Sequence, residues 1–400
     1  MTSPSVHPLG LPEGDPAELG FSSDRLAYIG AAFKAGVANE EIPGAVVAIA
    51  RRGRIAFFET YGYIDRAKAL PMPKDAIFRI ASMSKPVASV ALMMLAEEGR
   101  VRLTDPVERY VPELGANLKV AKADGSSEPA RGLMTIQDIL RHTSGLTRAL
   151  DPSTPTRKAY VEAGLRNRTR TLAEHMTLVS TLPLANHPGT RWEYSLATDV
   201  VGRVVEVVSG ESFDHFVATR ITGPLGMADA GFHVPEAKWS RIAEHDVSKL
   251  TPASIVPPDP RQPPKMASGN AGMVASTRDY IRFSQMMLNG GSLDGVRILG
   301  RKTVELMTHD HLGPIKEATS AAEYLPGPGY GFGLGFAVRL DAGMSPAAGS
   351  VGDHYWGGAY GTYFWIDPKE QLVSVMMLQV PGLREYRQML RDLVYQAIAD

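Results

Sequence analysis

Strand-like segments sit near both ends of this chain with helical ones between them, and that order limits the fold more than any other feature. Near the amino terminus, Gly44 opens an apolar run, Ala45 to Ala50, that alternates poorly and so reads as a strand buried on both faces. Arg51-Arg52-Gly53 supplies turn chemistry and Ile55 to Tyr61 carries the chain back, which predicts a hairpin. Before it, Ser22 or Ser23 is placed to cap a helix running to about Val37. The last third has the same texture. Tyr330 to Val338, Gly361 to Ile366 and Leu372 to Leu378 are short β-branched or aromatic runs separated by turn signals, and Glu385 to Ala399 has helical spacing. From about Ala81 to Gly291, helical patterns and Pro/Gly loops dominate. The expected arrangement is a sheet assembled from both termini with a helical lobe inserted, leaving a cleft at the junction.

With 400 residues the chain is long enough for two lobes or one large composite domain. Hydrophobic residues at 44% and charged ones at 21% are those of a folded globular protein. The formal net charge is −1 and no run of Lys or Arg forms a basic stripe, so nucleic acid is not an expected partner. Without cysteine there is no disulfide framework, thiolate metal site or Cys nucleophile. Met1 to Gly14 lacks a basic n-region followed by an apolar h-region, so it does not read as a secretory signal, and a cytoplasmic protein is expected. The longest apolar stretches, such as Ala88 to Ala96, are about half a membrane span and read as core rather than membrane contact. Asp246 to Ser268 holds six prolines and is too long for a simple connection, which suggests a functional rim or a mobile loop.

Three groups of residues can carry chemistry. Ala81-Ser82-Met83-Ser84-Lys85-Pro86 precedes an apolar run with i, i+3, i+4 spacing, so Ser82 and Lys85 belong on one face at the start of a buried helix. A serine hydroxyl needs a neighbouring base, and a lysine serves as one only where burial or nearby positive charge keeps it neutral. A helix amino terminus supplies free N–H groups able to hold an oxyanion. By itself S-x-x-K is short and common, and a helix cap followed by a solvated lysine is the better reading of it alone.

The second group, Pro188 to Leu196, is a turn leading into the helix-like run Asp199 to Val208. It carries Tyr194, whose phenol can act as a second proton carrier beside an ammonium. A Tyr near a Trp also suits plain packing. In the third, His354 to Gly361, the paired glycines Gly357 and Gly358 permit a close backbone approach along a strand, or mark a bulge. An N–H such as that of Ala359 can pair with that of Ser82 to make a two-donor oxyanion hole.

Together these groups resemble the penicillin-recognising serine hydrolases, in particular the family VIII carboxylesterases, which share the class C β-lactamase fold. The likeness runs through most of the chain. It includes Phe78-Arg79-Ile80, Thr135-Ile136, His142 to Leu146, Tyr194 to Ala197, Gly269 to Met273 with Ser276, Gly331-Phe332-Gly333 and Trp356-Gly357-Gly358. The resemblance implies a composite of two lobes with the active site between them. One is an α/β lobe, 1–80 with 270–400, holding a central antiparallel sheet flanked by helices; the other, 81–269, is mainly helical.

It also implies Ser82 as nucleophile, Lys85 and Tyr194 as the base system, and the backbone N–H groups of Ser82 and Ala359 as oxyanion donors. Where class C β-lactamases carry Tyr-x-Asn this chain has Leu196, and where they carry Lys-Thr-Gly it has Trp356-Gly357-Gly358. The lost amide and ammonium favour a neutral, apolar ester, of short-chain acyl or aryl type, over a β-lactam or a carboxylate-ended peptide. Trp356, Gly357, Gly358, Leu196, Trp192 and Tyr360, with Phe332, are the expected pocket residues.

The expectation is therefore a serine carboxylesterase using neither metal nor organic cofactor, with a small-molecule ester as partner and the oligomeric state left open. The same residues would serve a β-lactamase, a D-amino-acid peptidase or amidase, or an acyltransferase, and a ligand sensor on this fold would keep the cleft without turnover. No G-x-S-x-G elbow occurs. Asp353-His354 are adjacent on an extended segment and point to opposite faces, so His354 is expected to be structural. His309-Asp310-His311 reads as a solvated loop rather than a metal site, and His142 as a structural, backbone-bonded histidine.

Overall fold

The computed structural model describes residues 7–8, 10–115, 117–246, 258–382 and 384–400. Most of the proline-rich segment Asp246 to Ser268 up to residue 257, and the first six residues, lie outside that set.

An eight-stranded antiparallel sheet carries the fold, with strands in the order Tyr330–Phe332, Ala337–Arg339, His354–Gly357, Tyr363–Asp367, Leu372–Met377, Gly44–Arg51, Arg54–Asp65 and Leu70–Pro71. The chain's two ends meet where Gly44–Arg51 pairs with Leu372–Met377. These central strands have two apolar faces because each face meets its own core. Val46, Ala48 and Ala50 belong to the larger hydrophobic cluster, whereas Ala45, Val47 and Ile49 belong to the smaller one. A strand so sandwiched alternates in direction but not in polarity, which accounts for the unbroken run in the sequence.

Over the smaller core lie the helices Ser23–Ala38, capped by Ser22, and Arg384–Tyr395, which pack on each other. Against the other face lies the helix Thr277–Leu288, whose amino end is capped by the Ser276 hydroxyl. One expectation is corrected here. Tyr330 to Val338 is two strands rather than one run, because the chain reverses between Phe332 and Ala337 and Gly335 adopts φ 100°. A side chain there would also strike the Ser89 hydroxyl.

The inserted region is mainly helical. Ser84–Glu97, buried along nearly its whole length, packs against Ala197–Ser209, and Leu172–Ser180 begins with a Thr171/Glu174 capping box. A short antiparallel pair, Ile77–Arg79 with Val274–Ser276, ties this region to the sheet lobe immediately before Ser82. No helix among the described residues is long and apolar enough to cross a membrane.

Candidate active site

Ser82 lies in a 3-10 turn, Ala81–Met83, that runs directly into the buried helix Ser84–Glu97. Pro86 falls in that helix's first turn, where its missing N–H costs nothing. The preceding Ala81 has φ 46°, a left-handed conformation uncommon for a residue with a side chain. Several bonds hold the turn in that shape. Ser84 Oγ donates to the Ala81 carbonyl at 2.7 Å, Met273 N donates to Ser84 Oγ at 3.0 Å, and Tyr280 Oη donates to the Met83 carbonyl at 2.8 Å.

Ser82 Oγ is 2.7 Å from Tyr194 Oη and 3.3 Å from Lys85 Nζ. Lys85 is only 2% exposed. Its Nζ also donates to the Asn270 carbonyl at 2.8 Å and sits 4.6 Å from the centre of the Tyr194 ring. Asp199 fixes that carbonyl's loop, accepting from Ser268 Oγ at 2.7 Å and Asn270 N at 3.0 Å. Serine, lysine and tyrosine therefore form one connected group joining the Ser82 turn to the helical lobe.

The Tyr194 loop is pinned by buried polar contacts on either side. Glu193 Oε1 accepts from Arg157 Nη2 at 2.7 Å and from Thr147 Oγ1 at 2.6 Å. Ser195 Oγ meets His142 Nδ1 at 3.1 Å, and the His142 ring stands edge-on to Tyr194 with centroids 5.0 Å apart. Burial, with the Lys85 charge adding to it, holds the His142 imidazole well below its usual pKa, so it is a neutral spacer. Its ring bonds to the Ser195 hydroxyl, not to the backbone as expected.

Ser82, Lys85 and Tyr194 open into a cavity of about 630 Å³ that Ala359, Leu196 and Tyr360 also line. Neither the Ser82 nor the Ala359 N–H donates to any acceptor among the described residues. Five expected pocket residues, Trp192, Trp356, Gly357, Gly358 and Phe332, are not in the lining. Trp192 is wholly buried, stacked on Tyr194 and packed edge-on to Tyr324 and tilted to Phe332, because its bulk fills the space beneath the tyrosine loop. Trp356 points into the same aromatic layer, 5.4 Å from the Tyr194 ring and 5.3 Å from Phe332. Gly357 and Gly358 act by what they lack: a Cβ on Gly357 would meet the Arg387 guanidinium, and one on Gly358 the Ile80 carbonyl and Thr362 hydroxyl. The backbone at Gly358, just past the strand His354–Gly357, thereby packs against the chain leading into Ser82.

Sequence reasoning also missed cavity residues. Arg148, Arg166 and Arg168 line it beside the apolar Ala149, Leu150, Leu165 and Met266, all but the last from a stretch without motif. Arg148 is paired with Asp151 at 2.9 Å. Arg168 donates to the Ala271 carbonyl at 2.9 Å and has no carboxylate partner among the described residues. Asn270 stood only within a stretch matched as a whole, and its carbonyl's contact with Lys85 left no separate trace in the sequence.

The other histidines singled out in the sequence, His354, His309 and His311, do not line the cavity. His354 Nδ1 meets the Gly352 carbonyl at 3.1 Å, and burial lowers its pKa to about 4. Neighbouring Asp353 is occupied by Arg339 and Arg391. His311 contacts Gln137 and the Leu306 carbonyl, while His309 turns to the Glu305 carbonyl.

A serine hydroxyl joined to a buried lysine and a phenol, on a strained turn between a sheet lobe and a helical lobe, is the geometry of a nucleophilic acyl-transfer site. The beta-lactamase family model matches residues 29–398, and the chain belongs to that family. It is 34% identical over 353 residues to Protein Rv1367c of Mycobacterium tuberculosis, covering 84% of this chain and 86% of that one. To Esterase EstB of Burkholderia gladioli it is 30% identical over 390 residues, covering 91% and 93%. Among solved structures, that of EstCE1, "a hydrolase with promiscuous acyltransferase activity", superposes with a TM-score of 0.76 at 28% identity, covering 93% of this chain and 99% of that one.

Proposed function

We propose that this protein is a serine carboxylesterase that cleaves small neutral esters through an acyl-enzyme on Ser82. The observation that carries the reading is the contact of Ser82 Oγ with both Tyr194 Oη and Lys85 Nζ at the cavity wall. Ser82 Oγ attacks the ester carbonyl and its proton passes to the Tyr194–Lys85 pair, which acts as a unit. The Ser82 and Ala359 N–H groups receive the oxyanion. The tetrahedral adduct collapses as the pair returns the proton to the departing alkoxide. Water, activated in the same way, then releases the acid.

Leu196, Leu165 and Met266 offer the acyl chain an apolar surface. Leu196 and Trp356 stand where a β-lactamase carries its amide and its lysine, which weighs against β-lactams and carboxylate-ended peptides. Two relatives named as an esterase and a hydrolase support ester hydrolysis. A cytoplasmic location is part of the proposal, checked by cell fractionation.

The test is steady-state hydrolysis of p-nitrophenyl butyrate by the wild type and by Ser82→Ala, with folding of both checked. The wild type is expected to turn over repeatedly and the variant to fall by about a thousandfold or more. Full activity in the variant would remove Ser82 from the nucleophile role, and no turnover by the wild type would end the esterase reading. The promiscuous acyltransferase activity of the similar EstCE1 favours a second outcome of the same intermediate, in which an added alcohol competes with water. Ester formation that rises with alcohol concentration, at constant p-nitrophenol release, is its signature.

A further inference from the structure

The peptide unit joining Gly358 to Ala359 is engaged from two sides. Its N–H is the oxyanion donor proposed above. Its carbonyl, on Gly358, accepts from Arg387 Nη2 at 2.5 Å. Arg387 comes from the C-terminal helix Arg384–Tyr395 and occupies the space that the missing Gly357 side chain leaves, with Nη1 2.7 Å from where that Cβ would stand. Its guanidinium lies 5.6 Å from the centre of the Tyr363 ring.

What distinguishes Arg387 is the lack of a counter-ion. One turn further along the helix, Arg391 is paired with Asp353 at 2.5 Å and bonded to Tyr363 Oη at 3.1 Å. Arg387 has no carboxylate partner among the described residues, and its Nε is buried without an acceptor. Burial pulls its pKa below the usual arginine value. A half-buried guanidinium without a carboxylate is a poor stability device, because the cost of taking part of its charge out of water is only partly recovered.

We infer that Arg387 is a positioning residue for acyl transfer, whose charge polarises the Gly358–Ala359 peptide and makes the Ala359 N–H a stronger oxyanion donor. The inference rests on the oxyanion hole proposed above. A cation bonded to a peptide carbonyl draws electron density from the amide nitrogen, so the N–H on the other end of the same unit becomes more positive. The bond also fixes the peptide plane, so the donor is aimed before charge develops on the substrate. Gly357 follows from this: any side chain there would displace the guanidinium.

The experiment compares wild type with Arg387→Met, Arg387→Gln and Arg387→Lys, reading kcat and KM for p-nitrophenyl butyrate, thermal stability, and inhibition by an alkyl trifluoromethyl ketone. That ketone adds to the serine and places an oxyanion in the hole. The neutral variants are expected to keep KM within about threefold, lose about 10- to 100-fold in kcat, and weaken ketone affinity by a matching factor. Arg387→Lys, which keeps the charge, is expected to recover part of both. Unchanged ketone affinity, a loss confined to melting temperature, or failure of both neutral variants to fold would each overturn the inference and leave Arg387 structural. Activity retained in Ser82→Ala would instead bring down the catalytic reading beneath it, a result separable from any of these.

Discussion

In the sheet lobe three arginines, Arg339, Arg387 and Arg391, are turned into the protein; on the helical side three others, Arg148, Arg166 and Arg168, line the cavity. The first set is anchored to fixed acceptors. Arg339 and Arg391 converge on Asp353, which is wholly buried, and Arg387 on the Gly358 carbonyl. The second set is more open. Arg148 shares a half-exposed Asp151, Arg168 holds one backbone carbonyl, and exposed Arg166 has no partner among the described residues. The same side chain thus does two jobs. Behind the strand it is tied to acceptors of the protein itself, and across the cavity it faces the open space.

The largest effect expected from this contrast is on stability. Asp353→Asn would leave Arg339 and Arg391 buried opposite a neutral amide, and losing a partner from such a buried set costs about 3–5 kcal/mol. Urea denaturation of the variant and the wild type measures it. A loss below about 1 kcal/mol, the scale of surface ion pairs, would erase the distinction between the two sets.

Gly358→Ala is expected to act next most strongly, and on rate. The added Cβ would press on the Ile80 carbonyl and the Thr362 hydroxyl, pushing the His354–Gly357 strand away from the nucleophile turn. A shift of that kind in the oxyanion donor costs about 100-fold in kcat/KM. Hydrolysis of p-nitrophenyl butyrate within threefold of wild type would show that the close approach serves packing only.

The sheet-lobe framework could be read from the sequence because its signals are local. Val46 to Ala50 shows two-sided burial as an unbroken apolar run, and Ser82 with Lys85 shows helix-start spacing before Val87 and Val90. Tyr194 was legible through its turn and its family resemblance. What stayed hidden depends on contacts far apart in sequence. Trp192 and Trp356 sit beside Tyr194 and Gly357, yet their rings turn into the core: residue order does not reveal the direction of a side chain in a loop such as that of Trp192, and on the strand of Trp356 alternation separates two faces without saying which one meets the cavity. Ala81's left-handed backbone is imposed by Ser84, Met273 and Tyr280, two of them nearly two hundred residues away. The four-residue spacing of Arg387 and Arg391 puts them on one helix face, but nothing in the sequence turns that face inward. Only the fold shows that one meets a carboxylate and the other a carbonyl.

The smallest effect belongs to the cavity set. Because Arg166 and Arg168 touch neither Ser82 nor its base system, Arg166→Gln and Arg168→Gln are expected to leave kcat/KM for p-nitrophenyl butyrate within about threefold of wild type, as suits side chains off the reaction path. Their charge should matter when the substrate carries one. For a p-nitrophenyl ester whose acyl chain ends in a carboxylate, each substitution should lower kcat/KM about fivefold, the worth of one solvent-accessible ion pair. Raising the salt from 0.05 to about 0.5 M should produce a similar loss in the wild type, since accessible charges are screened over a few ångströms at that strength. Equal losses on the neutral and the anionic ester would mean that these arginines hold the cavity wall in place, as their counterparts hold the sheet. The division between the two sets would then rest on burial alone and not on what each is free to bind.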